Sequence, residues 1–431
     1  MESGRNSRPA PAGPYGEPGT TRRRFLRAAI GGAATLYAGG LLAGCRDTTL
    51  PAGTLSPSRG PGGLPLGRPG RPVTFPIYPD NRPIPSGLKP EKGPLKIYNW
   101  AEYLNPAVIK DFQDRFDVEV ELSTFSSIEE AVAKLASGAV QFDLFVPTVP
   151  YLGLLVAGRI GQPLNHSYIP NLKANVWSWL TDPWYDGGSR YTVPYTTYTT
   201  GIAWRNDHLP DFDPYSMRNP YEAFWRSESI SGKVGMVDDQ RDALSLSLLR
   251  LGHTDINTDS EQLVNEAAAG LSDLVGSVNL KFTGNEYQRL IDGSSWLQQA
   301  WSGDMAAITF YLPKGMSPDI FSYWWPRDGR GMIANDTFMV LNGSRSPVLA
   351  HLFLNYILDL EVALKNYQYV VYQQPLNGFT VEKVLDLGIV PRNLLTTIVR
   401  EDQFSRGYAQ AGLSQKGLVV WQQAWAKVKS T

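Results

Sequence analysis

Between residues 95 and 147 the hydrophobic pattern changes period four times, and that switching leaves few folds open. Leu95-Lys96-Ile97-Tyr98-Asn99 alternates as a strand does, with successive side chains sent to opposite faces. Val108, Ile109, Phe112 and Phe116 then recur at helical spacing behind Asn105-Pro106, an N-cap candidate followed by proline at the first helical position. Val118-Glu119-Val120-Glu121-Leu122 alternates again, residues 128–135 read as helix, and Phe142-Asp143-Leu144-Phe145-Val146-Pro147 is a buried strand ending at proline. Strand, helix, strand, helix, strand predicts an α/β fold on a largely parallel sheet. Ligands of such sheets sit beyond the carboxyl ends of the strands. Here those ends are Asn99-Trp100-Ala101-Glu102-Tyr103 and Pro147-Thr148-Val149-Pro150.

The theme returns downstream. Val234-Gly235-Met236-Val237 is a strand running into Asp238-Asp239-Gln240-Arg241-Asp242 and a helix through Leu244, Leu246, Leu248 and Leu249. Residues 305–311 read as a further buried strand and residues 349–364 as one apolar helix. A chain of 431 residues, 42% hydrophobic, exceeds what one core usually serves, so two lobes are expected. The formal net charge of −1 supplies no basic field for nucleic acid. One cysteine excludes an intrachain disulfide and a cysteine-based zinc site.

The N-terminus reads as an address rather than as fold. Arg22-Arg23-Arg24-Phe25-Leu26-Arg27 precedes a soft apolar run, residues 28–44, which contains five glycines. Such a run is short for a membrane span and suits the apolar region of an export signal. The Arg-Arg-x-Phe-Leu order resembles a twin-arginine signal, and Leu41-Leu42-Ala43-Gly44-Cys45 resembles a bacterial lipobox. Residues 1–44 are therefore expected to be removed and Cys45 to be lipidated, at the outer face of the cytoplasmic membrane. Without that segment the chain has 34 basic and 39 acidic residues, a balance compatible with a cationic ligand. Residues 46–92 hold 18 prolines or glycines and read as a semi-extended tether. Its part up to residue 71 is expected to be disordered, with residues 73–78 lying along the body.

Catalytic signatures are absent from the sequence: no GxxxxGK[ST], HExxH, GxSxG or CxxC occurs, and His166, His208, His253 and His351 lack ligand spacing. Carboxylate pairs could serve a glycosidase, which keeps an exported hydrolase as an alternative from another class.

At Ile97-Tyr98-Asn99-Trp100-Ala101-Glu102-Tyr103 the chain resembles the spermidine/putrescine-binding proteins of bacterial ABC importers. Tyr191-Thr192-Val193-Pro194-Tyr195, Asp238-Asp239-Gln240-Arg241-Asp242, Gly303-Asp304-Met305, Trp325-Pro326-Arg327-Asp328-Gly329, Asn335-Asp336 and Tyr372-Gln373-Gln374-Pro375 follow in that family's order over residues 93–431. The resemblance implies a two-lobed type II periplasmic binding protein that closes on its solute by hinge motion. It implies lobes of residues 93–203 with 334–382 and of 204–333 with 383–431, no cofactor or metal, no chemistry, a permease partner and a monomer. It also implies ligand contacts. Trp100 and Tyr103 match aromatics that flank the polyamine, Thr148 a small hydroxyl position, and Asp239 and Asp242 an acidic pair of which one is expected to bind. Tyr311 stands where a Trp is common, Asp336 matches the carboxylate for a second ammonium, and Tyr372 and Gln410 match positions that close the cleft. Aromatic faces suit methylenes and cations alike, and each buried ammonium needs a carboxylate. Ala334, Pro150 and Thr197 stand where the family carries, or has nearby, an aromatic, with Tyr198, Trp324 and Trp325 as candidates to compensate. A receptor for another small amine or polar solute, or a lipoprotein scaffold or sensor, remain alternative readings.

Overall fold

The computed structural model describes residues 59–431, so the export signal, the lipobox and Cys45 lie outside the described residues. Ten strands form one sheet: β1 (Leu95–Trp100), β2 (Val120–Phe125), β3 (Leu144–Phe145), β4 (Thr192–Arg205), β5 (Val234–Val237), β6 (Lys281–Thr283), β7 (Leu297–Trp301), β8 (Phe321–Trp324), β9 (Met332–Val340) and β10 (Tyr408–Ala409). Their order is β2-β1-β3-β9-β4-β7-β5-β6, with β10 on β9 and β8 on β4.

The sheet is mixed, where the sequence suggested largely parallel. β1 runs parallel to β2 and β3, and β5 parallel to β6 and β7. These are the strands joined by helical crossovers, as parallel pairing requires. Between the two parallel sets lie β4 and β9, antiparallel to each other and to their outer neighbours β7 and β3. They are the two long passes of the chain between the sets, made in opposite directions. The β4–β9 register slips between Pro194 and Thr196, next to a proline that has no N–H to give the ladder.

Two hydrophobic cores flank this central pair. Ile97, Phe112, Phe145, Phe338 and Phe353 belong to one, and Val234, Leu244, Leu271 and Trp421 to the other. The helix Pro106–Phe116 begins as its sequence says, with the Asn105 side chain accepting the Ala107 N–H at 2.9 Å and proline in the first turn.

Three expectations are corrected. Residues 305–311 are not a strand: a helix, Ser302–Ala307, passes into a 3-10 turn, Ile308–Tyr311. The strand is β7, just before it, whose Gln298 and Gln299 are fully buried and break the apolar run that a sequence reading follows. The apolar stretch at 349–364 is two helices, Pro347–Ile357 and Leu360–Val370, bent by 84°. Asp359 caps the second by accepting the N–H groups of Glu361 and Val362. Lastly, residues 59–71, expected to be disordered, are packed, and the stretch after them lies along the body as the sequence suggested. Leu64, Leu66, Val73 and Phe75 are buried, and the Tyr191 hydroxyl donates to the Pro76 carbonyl at 2.6 Å. Among the described residues no single helix is long and apolar enough to cross a membrane.

Candidate functional site

Thr196, Tyr198 and Thr200 share one face of β4, because side chains alternate along a strand. This row is the spine of the site. At its first end Thr196 pairs with Asp336 of β9. The Tyr103 hydroxyl lies 2.6 Å from Thr196 Oγ1 and donates to Asp336 Oδ2 at 2.9 Å. At the other end the Thr200 hydroxyl donates to Asp242 Oδ1 at 2.9 Å. Four residues of strand, roughly 13 Å, separate the two ends, and Tyr198 stands midway.

The two acids differ in their partners. Asp336 is 5% exposed, and its Oδ1 is buried with no hydrogen-bond partner. Burial pushes its carboxyl up to about 7, against the pull of the Tyr103 hydrogen bond. Thr148, bridged to Asp336 through the backbone, places the end of β3 beside this acid. Asp242, also 5% exposed, is held from several sides. Gln410 Nε2 donates to its Oδ1 at 3.0 Å and Trp301 Nε1 to its Oδ2 at 3.0 Å. Its carboxyl too is pushed up, first by burial and then by Asp239.

Asp239 has a separate task. It caps the helix Gln240–Arg250, accepting the N–H groups of Arg241 and Asp242 at 2.7 and 3.0 Å. Capping accounts for Asp239 and leaves Asp242 as the acid whose side chain turns to the β4 row. Arg241, between them in sequence, is buried and donates to the Ala411 carbonyl at 3.0 Å and to Asn257 Oδ1 at 2.6 Å.

Aromatic rings line the span between the acids. Tyr372 meets Tyr103 and Tyr198 edge-on, with centroids 5.2 and 5.6 Å apart. Its hydroxyl donates to Asp304 Oδ1 at 2.9 Å. Gly303 makes that approach possible, since a Cβ there would stand 2.4 Å from the Tyr372 ring. Glu286 is fully buried nearby, its carboxyl raised well above the usual range by burial and by the neighbouring Asp304. Trp100 lies at the end of β1 against Phe125, with centroids 4.5 Å apart, and its indole N–H is buried without a partner.

Of the residues singled out in the sequence, Tyr103, Thr148, Asp336 and Tyr372 gather at one end and Asp239, Asp242 and Gln410 at the other, with Trp100 at the adjoining strand end. Tyr311 packs on Tyr287 at 4.6 Å, and the indole that reaches Asp242 is instead Trp301. Trp301, Asp304 and Glu286 were missed as site residues. The signal for the first two was Trp301-Ser302-Gly303-Asp304 at the end of a strand, hidden by starting the strand eight residues late. Among the described residues no group of three His, Cys, Asp or Glu is placed to hold a metal. What the arrangement offers is acceptor oxygens and ring faces in a water-poor space, a trap for a cation with an apolar body.

An α/β body with buried acids and aromatic rings where two cores meet has the form of a solute-binding protein. The family model of the bacterial extracellular solute-binding proteins matches residues 107–376, more than half of the chain, and the chain belongs to that family. It is a transport-associated binding family rather than a class of enzymes. The putrescine/cadaverine-binding protein of Pseudomonas aeruginosa is 27% identical over 268 residues, covering 62% of this chain and 74% of that protein. The putrescine-binding periplasmic protein PotF of Escherichia coli is 24% identical over 360 residues, 80% of this chain and 93% of that one. The solved spermidine/putrescine ABC transporter substrate-binding protein PotD of Streptococcus pneumoniae superposes with a TM-score of 0.64 at 19% identity, covering 78% of this chain and 98% of that chain. At that identity the structural likeness carries the two-lobed fold.

Proposed function

We propose that this chain captures a polyamine, spermidine or putrescine, outside the cytoplasmic membrane and hands it to the permease of an ABC importer. The observation that carries the reading is Asp336 Oδ1, a buried carboxylate oxygen without a partner. An acceptor left so is costly unless a donor arrives, and an ammonium group supplies both the donor and the charge. Asp242 at the other end of the β4 row serves a second ammonium. Tyr103, Tyr198 and Tyr372 cover the methylenes between, with Trp100, Thr148, Gln410 and Trp301 around them. The relatives' named ligands point the same way.

In this reading the lobes are residues 93–203 with 334–382 and residues 204–333 with 383–431, and they close over the β4 row. Cys45 carries a lipid that keeps a monomeric body at the membrane. The protein performs no chemistry. A receptor for another small amine is the second reading, favoured by Ala334, which leaves β9 without a ring on the face of the site.

A thermal melt of residues 45–431 with putrescine, spermidine, spermine, amino acids and sugars at ~1 mM decides between them. A ligand bound only by the folded state adds RT ln(1 + [L]/Kd), about 4 kcal/mol at a thousandfold excess. A rise in Tm with polyamines alone supports the proposal. No rise with any of them, and a rise with another amine, replaces it by the second reading.

A further inference from the structure

We propose that residues 59–76 are a tie between the two cores, with Arg68 as a positioning residue that holds the Asp242 helix in its place beside the other core. The tie is first of all rooted on one side. Leu64 and Phe75 belong to the first core, and Gly62 packs so close to Ala157 that a Cβ would stand 2.6 Å from its methyl group. The backbone is stitched down as well. Val73 N–H donates to the Trp184 carbonyl at 2.8 Å, Gly187 N–H to the Val73 carbonyl at 2.7 Å, and the Arg190 guanidinium to the Phe75 carbonyl at 2.9 Å.

From this base Arg68 reaches across. Its guanidinium donates to the Gly412 carbonyl at 3.0 Å and to the Asn257 carbonyl at 3.4 Å. Both carbonyls adjoin residues of the second core, Leu413 and Ile256. Asp255 and Asp259 add negative charge that favours the same guanidinium. Gly412 is also where the cores touch, since a Cβ there would lie 3.3 Å from the Pro150 carbonyl, just past Thr148.

The far end of the tie leads into the site. Asn257 Oδ1 accepts from Arg241 Nη2 at 2.6 Å and from the Ala411 N–H at 2.7 Å, while its Nδ2 donates to the Ala409 carbonyl at 2.9 Å. Arg241 opens the helix that carries Asp242, and Gln410 sits between Ala409 and Ala411 with its amide on that acid. Arg68 thus fixes one loop that fixes both the helix start and the segment that carries Gln410. A planar guanidinium can hold two carbonyls at once, and an ammonium cannot reproduce that fork. With the tie in place the spacing between the two cores is held without ligand, and a solute enters against it.

Arg68→Ala and Arg68→Lys in residues 45–431, free of ligand, test this by small-angle scattering and by amide hydrogen exchange. The expected result for Arg68→Ala is a larger radius of gyration than wild type. Exchange should be about tenfold faster at residues 196–200 and 334–337, on the wall rooted in the other core, as well as at 408–413. Arg68→Lys should lie between the two. If only 408–413 loosens and the radius is unchanged, Arg68 is a local support and the tie is refuted. Should Arg68→Ala fail to fold, an unchanged radius in folded Arg68→Lys refutes it equally. No ligand enters the measurement, so its failure is separate from failure of the polyamine reading.

Discussion

Tyr198 of β4 stands directly opposite Ala334 of β9, so the phenol ring occupies the side of the ladder where residue 334 carries only a methyl group. The ring lies on the face of the site, two residues along β4 from Thr196, which pairs with Asp336, and two from Thr200, which meets Asp242. Tyr198→Ala should weaken polyamine binding by about 0.5–2 kcal/mol, the range of a cation–π contact. Tyr198→Phe, which keeps the ring, should bind nearly as wild type. Calorimetric titration of both variants checks this, and equal loss in the two would assign the effect to the hydroxyl instead.

Asp336→Asn should act oppositely on binding and on stability. Removing the charge that meets an ammonium costs about 2–5 kcal/mol of affinity at a buried pair. In the ligand-free protein the same change removes a buried carboxylate whose Oδ1 has no partner, so Tm at pH 8 should rise. A variant that binds normally would take Asp336 out of the site.

The pH dependence follows from the same group. Asp336 is pushed from 3.8 to about 7 in the folded protein, so between those values the folded state binds more protons than the unfolded chain. Its contribution to ligand-free stability is therefore present in full below about pH 4 and is lost as the pH climbs through about 7. The stability difference between Asp336→Asn and wild type should widen from pH 5 to pH 8 in denaturant titrations. An arriving ammonium favours the carboxylate and should release protons. Calorimetry at pH 6.5 in two buffers of different ionisation enthalpy must then give different heats, and identical heats would contradict the linkage.

Gly303→Ala should disturb Tyr372 without touching any charge. A Cβ at that position would meet the ring at 2.4 Å, which forces the Tyr372 side chain away from Asp304 and Tyr103. We expect a loss of about 1–3 kcal/mol in stability from overpacking and weaker ligand binding. A wild-type melt together with wild-type affinity would mean that the ring yields freely.

Local pattern was enough to read the first three strands and the helix cap at Asn105, because each depends on residues near in sequence, whereas Asp239, Asp242 and Asp336 were singled out by the family resemblance. What the chain does with β4 and β9 was not readable, since antiparallel pairing of two segments more than a hundred residues apart leaves no periodic mark. For the same reason the sequence could not show that Tyr198 faces Ala334. Trp301 was missed because the polar pair Gln298 and Gln299 lies fully buried in its strand, against the rule that apolar runs mark buried strands. The packed course of residues 59–71 was hidden by composition: many Pro and Gly disfavour a long helix or ladder, but they do not forbid a chain from lying in a groove.

That packed segment also changes how the protein would be moored. With lipid on Cys45, as we propose, residues 46–58 link the bilayer to the first described residue. At most about 3.5 Å per residue, this is a leash of about 50 Å or less. A leash so short keeps the search for a permease within one plane. It also enters the body at the Arg68 tie, so a load drawn from the membrane side falls first on the segment that spans the two cores.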